Sequence, residues 1–251
     1  MRSIAHPKPP LTTEGARVQR RMVQPRTNLA DAAAYSLREA AALIGVPVST
    51  LHRWTKGFPA KRGTSAPIIV TPAPHFLSFT NIVEAHILAG FRKERVALEK
   101  IRRAVRFVDR HYRVKHALAL EDFQTDGVDL FIERLDHGLV NASRDGQNAI
   151  RAVMQTHLRR VEYQHGRAIR LFPLIRPTRA GAQILPQDDA PRTVVIDPYR
   201  AFGRPVLDGT SVPVEDIFSR WQRGEAIKQL ASDYEVTLAE IEEALRAAKA
   251  A

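Results

Sequence analysis

Residues 36–57 read S-L-R-E-A-A-A-L-I-G-V-P-V-S-T-L-H-R-W-T-K-G, and the rest of the chain is organised around them. Leu37, Ala40, Ala41 and Ile44 recur at helical spacing behind Ser36, whose hydroxyl can cap the first turn, and Gly45 ends the run. Val46, Pro47 and Val48 make a tight connection. Ser49 then caps a second helix that turns Leu51 and Trp54 inward and stops at Gly57. Two short helices joined by a Gly-containing turn hold the second at a fixed angle, so that its N-terminal residues can enter a major groove while its far end meets phosphate. Ser49, Thr50, His52 and Arg53 can supply hydrogen bonds there, with Lys56 at the backbone and Arg38 and Trp54 completing the candidate surface. Leu37, Ala40, Ile44, Leu51 and Trp54 would hold the pair together. Helix pairs of this kind also occur as plain packing units, so spacing alone leaves both readings open.

On the N-terminal side, residues 1–34 mix Pro7, Pro9, Pro10 and Pro25 with Arg17, Arg20, Arg21 and Arg26 and read as a flexible basic arm. On the other side, five prolines and glycines between Phe58 and Phe79 surround Ile68, Ile69 and Val70, which read as a strand with turns. Thr80 is expected to cap a helix lined by Ile82, Val83, Ile87, Leu88 and Phe91, followed by a second helix carrying Ile101, Val105 and Val108. Residues 35–115 thus form one expected DNA-binding domain. In residues 116–175, a small α+β unit, Val128, Leu130 and Ile132 alternate like a strand, with Leu139 and Val140 as partner beyond a turn. Residues 146–157 look helical, and 160–164 can pair with 167–172 across His165-Gly166. A linker over 176–192 leads to a final unit, 193–251, with three short helical patterns, the last capped by Thr237 with Glu240 completing a capping box. The expected fold class is therefore mainly α, with a small α+β middle unit between two helix-turn-helix-like ends.

Composition narrows the function. The 251 residues carry a formal charge of +11, but residues 1–180 hold 30 basic and 15 acidic side chains whereas residues 181–251 hold 8 and 12. A basic body joined to a mildly acidic end implies that only the first part meets a polyanion, against the plainer alternative of arginine used for solubility. The chain has no cysteine, which excludes disulfides, Cys-based zinc sites, iron–sulfur clusters and thiol nucleophiles. No stretch approaches the roughly 20 apolar residues of a membrane span, and residues 1–10 lack the apolar core of a secretory signal, so a cytoplasmic protein is expected.

The head segment resembles the MerR-type helix-turn-helix. The resemblance continues through the proline-rich stretch as a wing, with Lys61 and Arg62 near its base, and into F-T-N-I-V-E-A-H-I-L-A-G-F-R-K-E-R-V-A-L-E-K-I-R-R-A over 79–104 as the second helix pair. MerR-type regulators commonly contact the DNA backbone through an Arg and a Tyr after the Leu of the second helix. Here His52 stands in place of the Arg, and Arg53 with Trp54 in place of the Tyr, so the resemblance implies that the phosphate contact passes to Arg53. The acidic end, D-P-Y-R-A-F-G-R-P-V-L-D-G-T-S-V-P-V-E-D-I over 197–217 and onward, resembles the domain of unknown function numbered 433. Its signature is present as Gly203, Arg204, Pro205, Gly209, Thr210, Pro213, Ile217, Gly224 and Tyr234. The resemblance implies a compact trihelical domain, and the whole arrangement resembles a VapB-type type II antitoxin. That family implies a PIN-like ribonuclease toxin and operator DNA as partners, in a homodimer or a hetero-oligomer with the toxin, with no cofactor and no metal.

Charge supports a division of labour. Glu225, Asp233, Glu235, Glu240, Glu242 and Glu243 would oppose a phosphate backbone and favour a protein partner with a basic rim, unless they merely solvate the last helix. Arg102, Arg106, Arg110 and Arg113 form a stripe that reads first as a solvated helix face, with phosphate or toxin carboxylates as alternatives. Catalysis has little support: His111 and His116 lack the intervening Glu of a metalloprotease helix, and no phosphate-binding loop or nucleophile elbow is present. The expectation is a DNA-binding antitoxin and not an enzyme. Its rivals are a free-standing regulator without a toxin and a protein-binding scaffold that no longer touches DNA.

Overall fold

The computed structural model describes residues 28–60, 63–91, 97–136, 144–174 and 191–250. The basic arm before residue 28, Lys61, Arg62, Leu139, Val140 and most of the linker lie outside these described residues. The elements begin with β1 (Tyr35–Ser36), α1 (Leu37–Leu43), α2 (Val48–Lys56), β2 (Phe58–Ala60), β3 (Gly63–Ser65), β4 (Phe76–Leu77), α3 (Phe79–Gly90) and α4 (Leu98–Tyr112). Next come α5 (Val128–Asp136), α6 (Arg144–Leu158), β5 (Val161–Gln164) and β6 (Arg167–Leu171). The chain closes with β7 (Val194–Val195), β8 (Val206–Leu207), α7 (Val214–Gln222), α8 (Ile227–Asp233) and α9 (Leu238–Ala250). The fold is mainly helical. Its strands pair antiparallel in twos: β1 with β4, β2 with β3, β5 with β6 and β7 with β8.

The centre of the body is α3, which is apolar on nearly every side and buried from Phe79 to Gly90 except at Thr80. It starts two residues before the position expected from Thr80. Ser78 caps it, accepting from the Asn81 amide at 3.2 Å while Asn81 Oδ1 accepts from the Ser78 amide at 3.2 Å. Thr80 instead donates its hydroxyl to Asp31 Oδ1 at 2.6 Å. That contact ties down the 3₁₀ turn Leu29–Asp31, so residues 28–34, expected to belong to the arm, pack on the body, and Ala30 is buried.

Polar groups inside α3 are satisfied by neighbours, as burial demands. Buried Glu84 accepts from Asn81 Nδ2 at 3.0 Å and pairs with His116 Nδ1 at 2.9 Å. Burial opposes charge on His116, but the Glu84 hydrogen bond and the nearby carboxylates of Glu84, Asp109 and Asp31 outweigh it and raise its pKa.

Two expectations fail for physical reasons. Val128, Leu130 and Ile132 belong to helix α5 and not to a strand. The buried set is Val128, Phe131, Ile132 and Leu135, whose spacing of three and four is helical, and the period-two reading left Phe131 and Leu135 unexplained. Ile68 and Ile69 form no strand either. Both are buried, and their amides donate to the Trp54 carbonyl at 2.8 and 3.0 Å, sealing the C-terminal end of α2.

One hydrophobic core runs from Ala30 through Leu171 and includes Ile196, so the helix-turn-helix and the α+β middle unit share an interior. A second core, built on Val214, Ile217, Leu230, Ile241, Ala244 and Leu245, belongs to the last sixty residues. The two are joined by backbone. The Leu171 amide donates to the Ile196 carbonyl at 3.0 Å and the Ile196 amide to the Leu171 carbonyl at 2.8 Å. Buried Arg160 donates to the carbonyls of Phe172 (3.0 Å) and Pro191 (2.7 Å). Across the same seam the Tyr35 hydroxyl donates to the Gly203 carbonyl at 2.8 Å, 168 residues away in sequence and buried. Gly203 sits at φ +80, and a Cβ there would collide with that hydroxyl, so both the backbone conformation and the close approach require glycine.

Tyr35→Phe removes only the hydroxyl and leaves the buried Gly203 carbonyl without its partner. It should cost about 1–3 kcal/mol, seen as a lower urea midpoint at unchanged slope; an unchanged midpoint would remove this bond from the stability of the seam.

Candidate nucleic-acid interface and the carboxy-terminal motif

The helix-turn-helix is assembled by local rules. Ser36 and Glu39 form a capping box at the start of α1, with the Glu39 amide donating to Ser36 Oγ at 3.3 Å and the Ser36 amide to Glu39 Oε2 at 2.7 Å. The turn closes through the Ile44 amide to the Ala40 carbonyl (3.2 Å) and the Val46 amide to the Ala41 carbonyl (2.9 Å), with Gly45 left-handed at φ +64. Pro47 precedes α2 and offers no side-chain cap, so Ser49 lies in the first turn and is not the cap. Leu51 and Trp54 are 0% and 3% exposed; burying side chains of this size contributes about 2–3 kcal/mol each to holding α2 in place.

The outward face of α2 carries Ser49, His52, Arg53 and Lys56, all exposed, at spacings of three, one and three that place them on one side of the helix. Arg38 is exposed on α1. Thr50 is 8% exposed and Trp54 points into the core, so neither belongs to this face; both attach α2 to the body. The β2–β3 hairpin follows α2 directly, while Lys61 and Arg62 lie outside the described residues.

The arginine stripe of α4 is not continuous. Arg102 is buried beside Glu99, because it shares a face with Leu98 and Val105; Arg103, Arg106, Arg110 and Arg113 are exposed, and Arg113 ends the helix in a left-handed conformation. Arg103 was missed in the sequence. The apolar positions Ile101, Ala104, Val105 and Val108, projected on a helix, put Arg103 opposite the core and would have found it.

In the carboxy-terminal unit, Pro205 accepts the Val214 amide at 3.0 Å, linking the β7–β8 region to the start of α7. Thr210 closes the turn after β8: its hydroxyl donates to the Leu207 carbonyl at 2.9 Å and accepts the Val212 amide at 3.1 Å, while Gly209 takes φ +75. Pro213 precedes the first residue of α7, Ile217 is 0% exposed, and Gly224 makes the left-handed step into α8. Arg204 approaches Glu215 at 3.9 Å. Tyr234 lies under the Arg220 guanidinium, 5.1 Å from ring centroid to Cζ. Arg220 also bonds Glu225 Oε2, at 2.8 Å through Nε, and Asp233 Oδ2.

Helices α8 and α9 repeat the backbone of α1 and α2. The Tyr234 amide donates to the Leu230 carbonyl (3.1 Å) and the Val236 amide to the Ala231 carbonyl (3.0 Å), as Ile44 and Val46 do, and Glu235 takes φ +55 where Gly45 takes +64. Thr237 and Glu240 form the expected capping box. The outward chemistry differs. At the positions in α9 that correspond to Ser49, His52, Arg53 and Lys56 stand Ala239, Glu242, Glu243 and Arg246, and Glu243 is buried and holds Arg246 at 2.7 Å.

Among the described residues, no group of three or more His, Asp or Glu could hold a metal, and no helix is long and apolar enough to cross a membrane. Residues 33–105 match the family described as "Putative DNA-binding HTH domain", and residues 194–247 the family described as "Protein of unknown function (DUF433)". The chain is 31% identical to "Putative antitoxin VapB45" of Mycobacterium tuberculosis over 239 residues, covering 86% of this chain and 94% of that protein. It is 29% identical to "Uncharacterized protein Rv2308" of the same organism over 232 residues, covering 87% and 91%. The crystal structure of Rv2018 from Mycobacterium tuberculosis superposes with a TM-score of 0.65 at 25% identity, over 86% of this chain and 98% of that one. The fold and the paired units define a helix-turn-helix protein with a carboxy-terminal DUF433 unit. The chain belongs to the family of "Putative antitoxin VapB45".

The Arg220 hydrogen bonds hold Glu225 and Asp233 below the usual carboxylate range, Asp233 with help from Gln229. A depressed folded pKa stabilises at pH above the unfolded value, about 4, and the contribution is lost as pH falls through the folded values. Acidification below about pH 4 should therefore loosen α7 against α8. Hydrogen exchange of their amides should show that loss in the wild type and much less pH dependence in Arg220→Gln; identical profiles would refute the linkage.

Proposed function

We propose that this protein is the antitoxin of a type II toxin–antitoxin pair, which binds operator DNA through α2 and a PIN-like ribonuclease toxin through its acidic end. The observation that carries the DNA half is the exposed face of Ser49, His52, Arg53 and Lys56 on a helix whose opposite side is locked by Leu51 and Trp54. A rigid helix places donors at base edges without an ordering cost, and Arg53, Lys56 and Arg38 supply phosphate contacts. The β2–β3 hairpin follows α2 in the chain, the order that a MerR-type wing would have, which supports this reading. One short helix contacts little DNA, so the binding form is a dimer on paired half-sites.

The toxin half rests on family membership and on charge. The −4 of residues 181–251 disfavours phosphate, and α9 replaces the basic face of α2 with Ala239, Glu242 and the buried Glu243. The last three helices then act as a compact trihelical module for protein contact. Arginines of the body can answer the acidic metal site of such a ribonuclease. The protein works in the cytoplasm, where both partners are found.

Arg53→Ala/Lys56→Ala should weaken binding to the upstream region by at least about tenfold and reduce the salt slope by about two. Unchanged gel-shift affinity would remove the head from the DNA role and leave the scaffold reading. Co-expression with the neighbouring open reading frame should relieve the growth arrest that frame causes when expressed alone; a neighbour without toxicity would favour a free-standing regulator.

A further inference from the structure

The most exposed large apolar side chain among the described residues is Phe202, at 93%, and its backbone is the reason to ask what it does. Ala201, Phe202 and Gly203 take φ of +44, +57 and +80 in succession. A left-handed conformation is ordinary for glycine but a genuine outlier for a bulky residue, and it persists only where the surroundings over-determine it.

The surroundings do so here. The Tyr35 hydroxyl holds the Gly203 carbonyl, and the Gly203 amide donates to the Arg200 carbonyl at 2.8 Å. Ala201 packs inward on Phe172, Val195 and Val206. Asp197, 7% exposed, accepts the Tyr199 amide at 2.9 Å and binds both Arg170 (3.4 Å) and Arg200 (3.6 Å). Tyr199, 61% exposed, donates its hydroxyl to Asn28 at 2.7 Å, beside the exposed Leu29. The loop is thus rigid, strained and aimed at solvent, with Tyr199, Leu29 and Phe202 displayed where the carboxy-terminal unit meets the body.

We infer that Phe202 is the anchor by which this protein grips its toxin, entering an apolar pocket on the toxin surface. This rests on the antitoxin reading above and names the segment that performs it. A pre-ordered aromatic between arginines has the composition and the low ordering cost of a binding hot spot. Arg200 shares the Asp197 carboxylate with Arg170, and Arg204 donates to the Ala201 carbonyl at 3.3 Å and approaches Glu215 at 3.9 Å, so the two arginines brace the loop on either side of Phe202. Exposed Glu215 and Asp216 nearby disfavour a nucleic acid at this place.

The test uses the full chain co-expressed and co-purified with the product of the adjacent open reading frame, comparing wild type with Phe202→Gly and Phe202→Asn. Both replacements tolerate the left-handed backbone, so the variants should fold with an unfolding midpoint equal to or above that of the wild type. The expected result is a dissociation constant at least tenfold weaker, failure to relieve growth arrest, and unchanged operator binding. A purely structural Phe202 would lower the midpoint and leave toxin affinity unchanged, which overturns the proposal. Wild-type mass in light scattering that falls only in the variants would make the occupant a second copy of this chain and also overturn it. If the wild type itself fails to hold the neighbour's product, the antitoxin reading falls and the proposal with it; wild-type capture matched by both variants overturns the proposal alone.

Discussion

The Tyr35 hydroxyl sits at a point where three constraints meet. It donates to the Gly203 carbonyl from β1, the strand that leads straight into the helix-turn-helix, and it fills the space a side chain at 203 would need. The burial around it and the nearby Asp197 and Glu39 carboxylates raise its pKa, so it remains a neutral donor at any physiological pH. Because the phenol is anchored on the same two-residue strand as Ser36, the cap of α1, the placement of the carboxy-terminal loop and of the DNA-facing helices are mechanically linked. The left-handed run at 201–203 and the outward Phe202 follow from that contact.

The protein uses one backbone motif twice with opposite outward charge. The α1–α2 and α8–α9 turns agree in their amide-to-carbonyl pattern because that pattern is set by chain geometry and by two buried apolar positions, Leu51 and Ile241. Nothing in the pattern selects a partner. Selection comes from four outward positions, and there the first unit presents hydroxyl, imidazole, guanidinium and ammonium groups while the second presents a methyl, a carboxylate, a buried carboxylate and its arginine. The net charge of +11 therefore describes neither surface.

Much of this was legible in the residues. The Ser36 cap, the turn at Gly45, the inward Leu51 and Trp54, the hairpin at His165-Gly166 and the Thr237 capping box depend on neighbours within four residues, and short-range chemistry decides them. The failures cluster where long-range contacts decide. Val128, Leu130 and Ile132 alternate, yet Phe131 and Leu135 needed a core to face, and that core comes from α3, α4 and α6. Thr80 has the chemistry of a cap, but Asp31, brought in from 49 residues away, takes its hydroxyl and Ser78 caps instead.

By itself the sequence determined the helix-turn-helix, the paired basic and acidic parts and the family to which the chain belongs, since local periodicity, capping residues and signature glycines are properties of contiguous residues. Only the tertiary structure decided which of the candidate side chains face outward: Arg53 and Lys56 stay at the surface, Thr50, Trp54 and Arg102 are withdrawn, and Phe202 is displayed. Exposure depends on what other segments cover. Arg102 is withdrawn by the helix face it shares with Leu98 and Val105, which spacing can report, whereas the Gly203 loop is fixed by Tyr35, 168 residues away, which spacing cannot.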